Sequence, residues 1–185
     1  MRTTTNHTAG LIGRARGALS ALLKAGIAAS FLVGATVAGG PIAPAQAAAD
    51  RSLSFYNLHT KERATIVYKR GNRYDPAGLK QINYILRDWR RNEQVKMDPQ
   101  LLDLVWEVYQ RSGSRQPINI ICGYRAPATN SMLRSRSRGV AKNSQHTRGK
   151  ALDFFLPDVP LAKLRAIGLQ MQAGGVGFYP TSGSP

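Results

Sequence analysis

The spacing of hydrophobic positions changes several times along the chain, and each change predicts an element. From Leu53 the run Leu-Ser-Phe-Tyr-Asn-Leu alternates, and Ala64 to Tyr68 is rich in β-formers. With His59-Thr60-Lys61-Glu62 between them, these two runs predict a β-hairpin, with His59 a solvent-exposed residue of its turn. Asp75-Pro76 then supplies an N-cap and a first-turn proline, after which Leu79, Ile82, Ile85, Leu86 and Trp89 recur at helical spacing. Asp98-Pro99 repeats the start signal for a second helix, whose stripe is Leu101, Leu102, Val105, Val108 and Tyr109 and whose stop is Gly113. Both aspartates are read as caps rather than catalytic acids, and Trp89, Trp106 and Tyr109 as packing rather than sugar-stacking surfaces. Pro117 to Cys122 reads as a buried strand, broken into a loop by Gly123-Tyr124-Arg125-Ala126-Pro127. Thr129 to Arg138 predicts a short helix, and Gly139 to Gln145 a polar loop. Lys150 to Leu156 predicts a strand with Leu152, Phe154 and Leu156 on one face. A last helix carries Leu161, Leu164, Ile167 and Met171 and closes at Gly174-Gly175, and Val176 to Tyr179 begins a final strand. The sum is an α+β domain with helices flanking a small antiparallel sheet, whose strand order the pattern does not specify.

The first 47 residues follow different rules. Arg2, Arg14, Arg16 and Lys24 occur there with no acidic residue, followed by an apolar run from Ala25 to Ala38, then Gly-Gly-Pro and the small-x-small triplet Ala45-Gln46-Ala47. This is the layout of a secretory signal peptide, so residues 1–47 are expected to be removed and 48–185 to form the domain, in the periplasm or another exported compartment. The apolar run is shorter than the ~20 residues that span a bilayer, so no stable membrane anchor is expected after cleavage. Losing the leader removes four basic residues and no acidic ones, which takes the formal charge from +16 to +12. Such a surface favours anionic partners: nucleic acid, acidic lipid, or the cell wall with its carboxylates. Export argues against nucleic acid. Much of the charge lies in Arg134, Arg136, Arg138, Lys142 and Arg148, a run that also suits a solvated loop. Cys122 is the single cysteine, so no intramolecular disulfide forms, and at the end of an apolar run it reads as a small buried thiol rather than a ligand or nucleophile. No repeat or glycine-rich phosphate loop supports a nucleotide enzyme.

Candidate chemistry concentrates between Ser144 and Asp153. His146 offers an imidazole nitrogen and Asp153 a carboxylate oxygen, both suited to zinc at ~2.0–2.2 Å. Gly149 lets the chain turn tightly between them, and Asp153 points away from the apolar face of its strand. A histidine and an aspartate at this spacing also occur together without a metal. Arg125, in the loop after the predicted strand, has a fixed charge and a fork of donors that suit a carboxylate, an oxyanion or a surface salt bridge.

The wider pattern Ser-x-His-x-x-Gly-x-Ala-x-Asp is filled by Ser144, His146, Gly149, Ala151 and Asp153, and it resembles the zinc-site signature of the D-alanyl-D-alanine metallopeptidase superfamily of lysostaphin/hedgehog-like peptidases. Gly123-Tyr124-Arg125 upstream and Gly175-Val176-Gly177-Phe178-Tyr179-Pro180 downstream resemble the murein endopeptidase K branch, so that the likeness runs from Leu53 onward. The resemblance implies zinc held by His146 and Asp153, Arg125 on the substrate side, and Ser144 close to substrate. It also implies a third ligand, a histidine on a strand soon after the Gly-Phe-Tyr-Pro segment, with an acid/base residue nearby. The histidines are His7, His59 and His146, so the expectation is a domain that stops at Pro185 without that last strand. No catalytic acid/base is then identifiable, and metal affinity and hydrolysis fall below those of a complete site unless His59 or a partner chain completes the sphere. The implied function is that of an exported zinc metallopeptidase hydrolysing peptide bonds in peptidoglycan cross-links or stems. The competing expectation is a catalytically inactive exported protein that binds peptidoglycan, or polyanions generally. Moderate salt separates the last two, because binding by charge alone is screened away.

Overall fold

Alternation in the first two apolar runs builds the hairpin as expected. In the computed structural model, which describes residues 48–137 and 139–178, β1 (Arg51–Asn57) pairs antiparallel with β2 (Arg63–Arg70). Leu53 and Phe55 of β1 are buried with Ile66 and Tyr68 of β2. The turn is held by the Asn57 carboxamide, whose Oδ1 accepts from the backbone N–H of His59 (2.9 Å) and Thr60 (3.2 Å). A two-residue strand, β3 (Arg73–Tyr74), extends β2 outward. On its other edge β1 pairs with β4 (Ile118–Cys122), and β4 pairs antiparallel with β5 (Asp153–Phe155), giving the order β3-β2-β1-β4-β5. The α+β class stands, but the sheet is mixed, because β1 and β4 run parallel. The chain between them carries two helices, and a long helical crossover is the connection that parallel neighbours require.

Helix α1 (Pro76–Ile85) starts where Asp75 Oδ1 accepts from Ala77 N (2.9 Å) and Gly78 N (3.3 Å), confirming the cap. It lies directly on β2: a Cβ at Gly78 would sit 2.0 Å from the Val67 carbonyl oxygen. The helix ends at Ile85, four residues before Trp89, which is 42% exposed and is not the core residue its spacing suggested. The chain leaves the helix because Arg87 and Asp88 are buried and need partners outside it. Arg87 forms a two-pronged pair with Glu62, and Asp88 Oδ2 accepts from Ala126 N at 2.9 Å. Helix α2 (Pro99–Ser112) buries Leu102 and Val105 and stops at Gly113 (φ 71°), with Trp106 and Tyr109 partly buried against the core.

Beyond β4, α3 (Pro127–Arg136) is followed by the segment that carries the site, and after β5 comes α4 (Leu161–Met171). That last helix packs on α2 and ends at Gln172 (φ 49°), ahead of the expected Gly174-Gly175 stop. Val176 to Phe178 form no strand, which departs from expectation, and Tyr179 lies outside the described residues, as do the proposed leader and Arg138. No helix among the described residues is long and apolar enough to cross a membrane.

Candidate metal centre

His146 sits in a tight 3-10 turn, Gln145–Arg148. The buried Ser144 caps it, accepting from His146 N at 3.3 Å, and Thr147 Oγ1 donates to the Ser144 carbonyl at 2.7 Å. Gly149 closes the turn at φ 66°, and a Cβ there would meet the Lys96 carbonyl oxygen at 2.8 Å, so this glycine is required both by conformation and by space. The hydroxyl oxygen of Ser144, expected beside substrate, thus serves as the acceptor of this cap, with its O–H still able to donate.

Asp153 opens β5, and its place is set by an irregularity in the ladder. Asn119 faces Phe155 and Ile120 faces Phe154, but the register slips and Cys122, not Ile121, faces Asp153. Directly opposed residues of an antiparallel pair share a face of the sheet. Ile120 is buried at the core, and the extra residue turns Cys122 to the other side, alongside Asp153. The Cys122 thiol, the His146 imidazole and the Asp153 carboxylate consequently offer three ligand atoms within 4.8 Å of one another. The reading of Cys122 as a core thiol is corrected by this register slip, which side-chain alternation in the sequence does not reveal.

The electrostatics of the group follow from one hydrogen bond. His146 Nδ1 lies 2.9 Å from the Gly123 carbonyl oxygen, which can only accept, so the ring's Nδ1 carries a proton. Nε2 is left facing Asp153 Oδ2 at 3.3 Å. Two lone pairs at that separation repel unless a cation lies between them. In the absence of metal that cation is a proton. Burial alone pushes the imidazole pKa down, but the hydrogen bonds to Asp153 and Cys122 outweigh it and raise it to about 10. Burial likewise works to raise the Cys122 pKa, and is overcome by the His146 hydrogen bond and charge, with Arg125 adding to them, so the thiol is held below its usual range. The same geometry fits a metal ion, since a ligating histidine generally donates its other ring N–H to a carbonyl or carboxylate. His146 is largely enclosed at 12% side-chain exposure, whereas Asp153 is 38% exposed, so the group is open on the Asp153 side.

Arg125 joins the group from the loop after β4. Its backbone N–H donates to the His146 carbonyl (3.2 Å), and its guanidinium reaches Cys122 Sγ (3.4 Å) and Asn130 Oδ1 (3.4 Å). No carboxylate pairs with it among the described residues, which leaves the salt-bridge alternative without a partner. His59 stays outside the group: its ring stacks on Trp89 at 4.8 Å, and its Nε2 lies 3.0 Å from the Ile121 carbonyl oxygen. Arg134, Arg136, Lys142 and Arg148 are all exposed.

Comparison with known proteins agrees with this geometry. The family described as peptidoglycan L,D-endopeptidase MepK matches residues 45–185. The probable peptidoglycan L,D-endopeptidase MepK of Haemophilus influenzae is 44% identical over 133 residues, covering 71% of this chain and 72% of that protein. The peptidoglycan L,D-endopeptidase MepK of Escherichia coli K12 is 42% identical over 132 residues, with the same coverage of 71% and 72%. No solved structure gives a significant match. A turn carrying His146, a strand presenting Asp153 and a Tyr-Arg loop beside them thus sit on a chain matched along most of its length, and the chain belongs to the MepK family of peptidoglycan endopeptidases.

Proposed function

We propose that this chain is an exported zinc-dependent peptidoglycan L,D-endopeptidase in which His146 and Asp153 hold the metal and Arg125 faces the substrate. The supporting observation is the pairing of His146 Nε2 with Asp153 Oδ2 at 3.3 Å while Nδ1 is committed to the Gly123 carbonyl. That arrangement requires a cation, and a nitrogen and carboxylate set suits zinc. Bound zinc supplies Lewis acidity and lowers the pKa of a water ligand to ~7. Around it, the chain's own residues position and stabilise. Gly123 fixes the ring's tautomer and angle. Arg125, whose guanidinium lies against Cys122 Sγ and Asn130 Oδ1, would bring fixed positive charge to the edge of the group, where a tetrahedral oxyanion formed from a scissile amide gains most from it. The exposed Arg134, Arg136, Lys142 and Arg148 attract a carboxylate-rich polymer and leave the chemistry to the buried turn.

Two measurements test this reading: zinc content of the purified full chain, and release of soluble fragments from peptidoglycan. Stoichiometric zinc is expected, with hydrolysis abolished by His146→Ala and by chelation. Zinc-free protein that still cleaves peptidoglycan, or zinc bound equally by the His146→Ala variant, would overturn it.

A further inference from the structure

We infer that Cys122 is a metal ligand of this site, giving the ion a sulfur donor in addition to His146 and Asp153. The inference rests on the zinc reading above and extends it to a residue that lies outside the Ser-x-His-x-x-Gly-x-Ala-x-Asp motif, more than twenty positions upstream of His146.

Three separate features point the same way. The first is distance. Ligand atoms bound to one tetrahedral zinc at ~2.0–2.3 Å lie roughly 3.5 Å apart, and the Cys122, His146 and Asp153 atoms already fall within 4.8 Å of one another. A contraction on the order of 1 Å closes the set. The second is orientation. A structural thiol at the end of β4 would continue the buried face of Ile118 and Ile120, yet the register slip places Cys122 opposite Asp153, on the face that carries the carboxylate. Bulges are a recurrent means of re-aiming a side chain beside an active site. The third is the surroundings of the sulfur. Arg125 donates to Sγ at 3.4 Å, the kind of outer-shell hydrogen bond that orients a metal ligand. Thiolate, imidazole and carboxylate together favour zinc over the hard cations magnesium and calcium, which prefer oxygen. A thiolate also donates more charge to the ion than water or carboxylate does, so it trades some Lewis acidity for affinity.

Zinc X-ray absorption of the full chain, wild type and Cys122→Ser, reads the ligand set directly. The wild type is expected to show a sulfur scatterer at ~2.3 Å beside nitrogen and oxygen at ~2.0–2.1 Å. In Cys122→Ser the sulfur shell should vanish, with zinc affinity at least ~10-fold weaker. The wild-type spectrum decides the matter even if the variant folds poorly. Stoichiometric zinc in the wild type with nitrogen and oxygen neighbours alone would overturn the Cys122 assignment while leaving the His146 and Asp153 site intact. Failure of the wild type to bind zinc at all would overturn the site itself, and Cys122 with it. Protection of the thiol from alkylation by added zinc, lost in His146→Ala, would support the assignment independently.

Discussion

Gly123 carries no side chain, yet the geometry predicts that Gly123→Ala damages the metal site more than the fold. A Cβ there would lie 2.5 Å from the Leu86 carbonyl oxygen and 2.9 Å from Leu86 Cβ. The first of these is backbone, anchored by its hydrogen bond from Tyr124 N at 2.7 Å, so it cannot swing aside as a side-chain tip would. Restoring an ordinary contact of about 3.4 Å requires roughly 0.9 Å of movement at Gly123. The Gly123 carbonyl accepts from His146 Nδ1 at 2.9 Å, and passing that displacement on would stretch the bond to about 3.8 Å, beyond hydrogen-bond reach. The imidazole then loses the contact that orients Nε2 toward Asp153. Removing such a supporting partner typically costs 10- to 100-fold in metal affinity, and overpacking of this kind costs about 1–3 kcal/mol of stability. Competition against a chromophoric chelator measures the first, and urea unfolding of the metal-free protein the second. Gly174→Ala, where a Cβ meets nothing within 4 Å, is the control. A Gly123→Ala protein that unfolds more easily but binds zinc with wild-type affinity would refute the link between the β4 terminus and the histidine.

Other residues give sharper separations of role. Asp103 on α2 accepts from Tyr68 Oη, Lys69 Nζ, Tyr74 Oη and Arg51 Nη1 at 2.8–3.1 Å, joining the helix to three strands. Burial works to raise its pKa, and the hydrogen bonds from Lys69, Tyr74 and Tyr68 overcome this to hold it below the usual range. Asp103→Asn should cost about 2 kcal/mol near neutral pH. A depressed folded pKa gives stability that is present above the ordinary carboxylate value of about 4 and is lost as pH falls through the folded value. The gap between wild type and Asp103→Asn in urea midpoints should therefore close below about pH 4. Ser144→Ala removes a cap and should lower stability by about 1 kcal/mol with KM unchanged; a several-fold rise in KM would instead put Ser144 in contact with substrate. Arg125→Lys keeps the charge but loses the fork, and should lower kcat about 100-fold at saturating zinc, whereas a wild-type kcat would assign Arg125 to structure alone.

Legibility in the sequence depended on how local each cause was. The hairpin, the Asp75 and Asp98 caps and the Gly149 turn were readable because each is decided within a few residues, by alternation, by a carboxylate ahead of proline, or by a glycine that must take positive φ. Trp89 escapes the pattern because the helical stripe continues past Ile85, where the helix ends. The buried needs of Arg87 and Asp88, met by Glu62 and Ala126 from other parts of the chain, decide the stop.

The candidate metal centre divides along the same line. His146 and Asp153 sit on one short segment whose turn glycine lies between them, so their meeting is a local event. Cys122 reaches them across the sheet, by a register that depends on how β4 and β5 pair. In an undisturbed ladder Ile121 would face Asp153, and the ion would find a hydrocarbon where the thiol now stands. Residue 121 is accordingly the one the ladder skips, and the proposed third donor depends on its being left out of the pairing. Its side chain is 38% exposed and adds little to the core, so its contribution is its presence in the strand as the extra residue. Deleting residue 121 would place Cys122 directly after Ile120 and still opposite Asp153. Zinc binding should therefore be retained in that variant as in Ile121→Val, and loss of zinc on deletion would show that the bulge itself, rather than the pairing, aims the thiol.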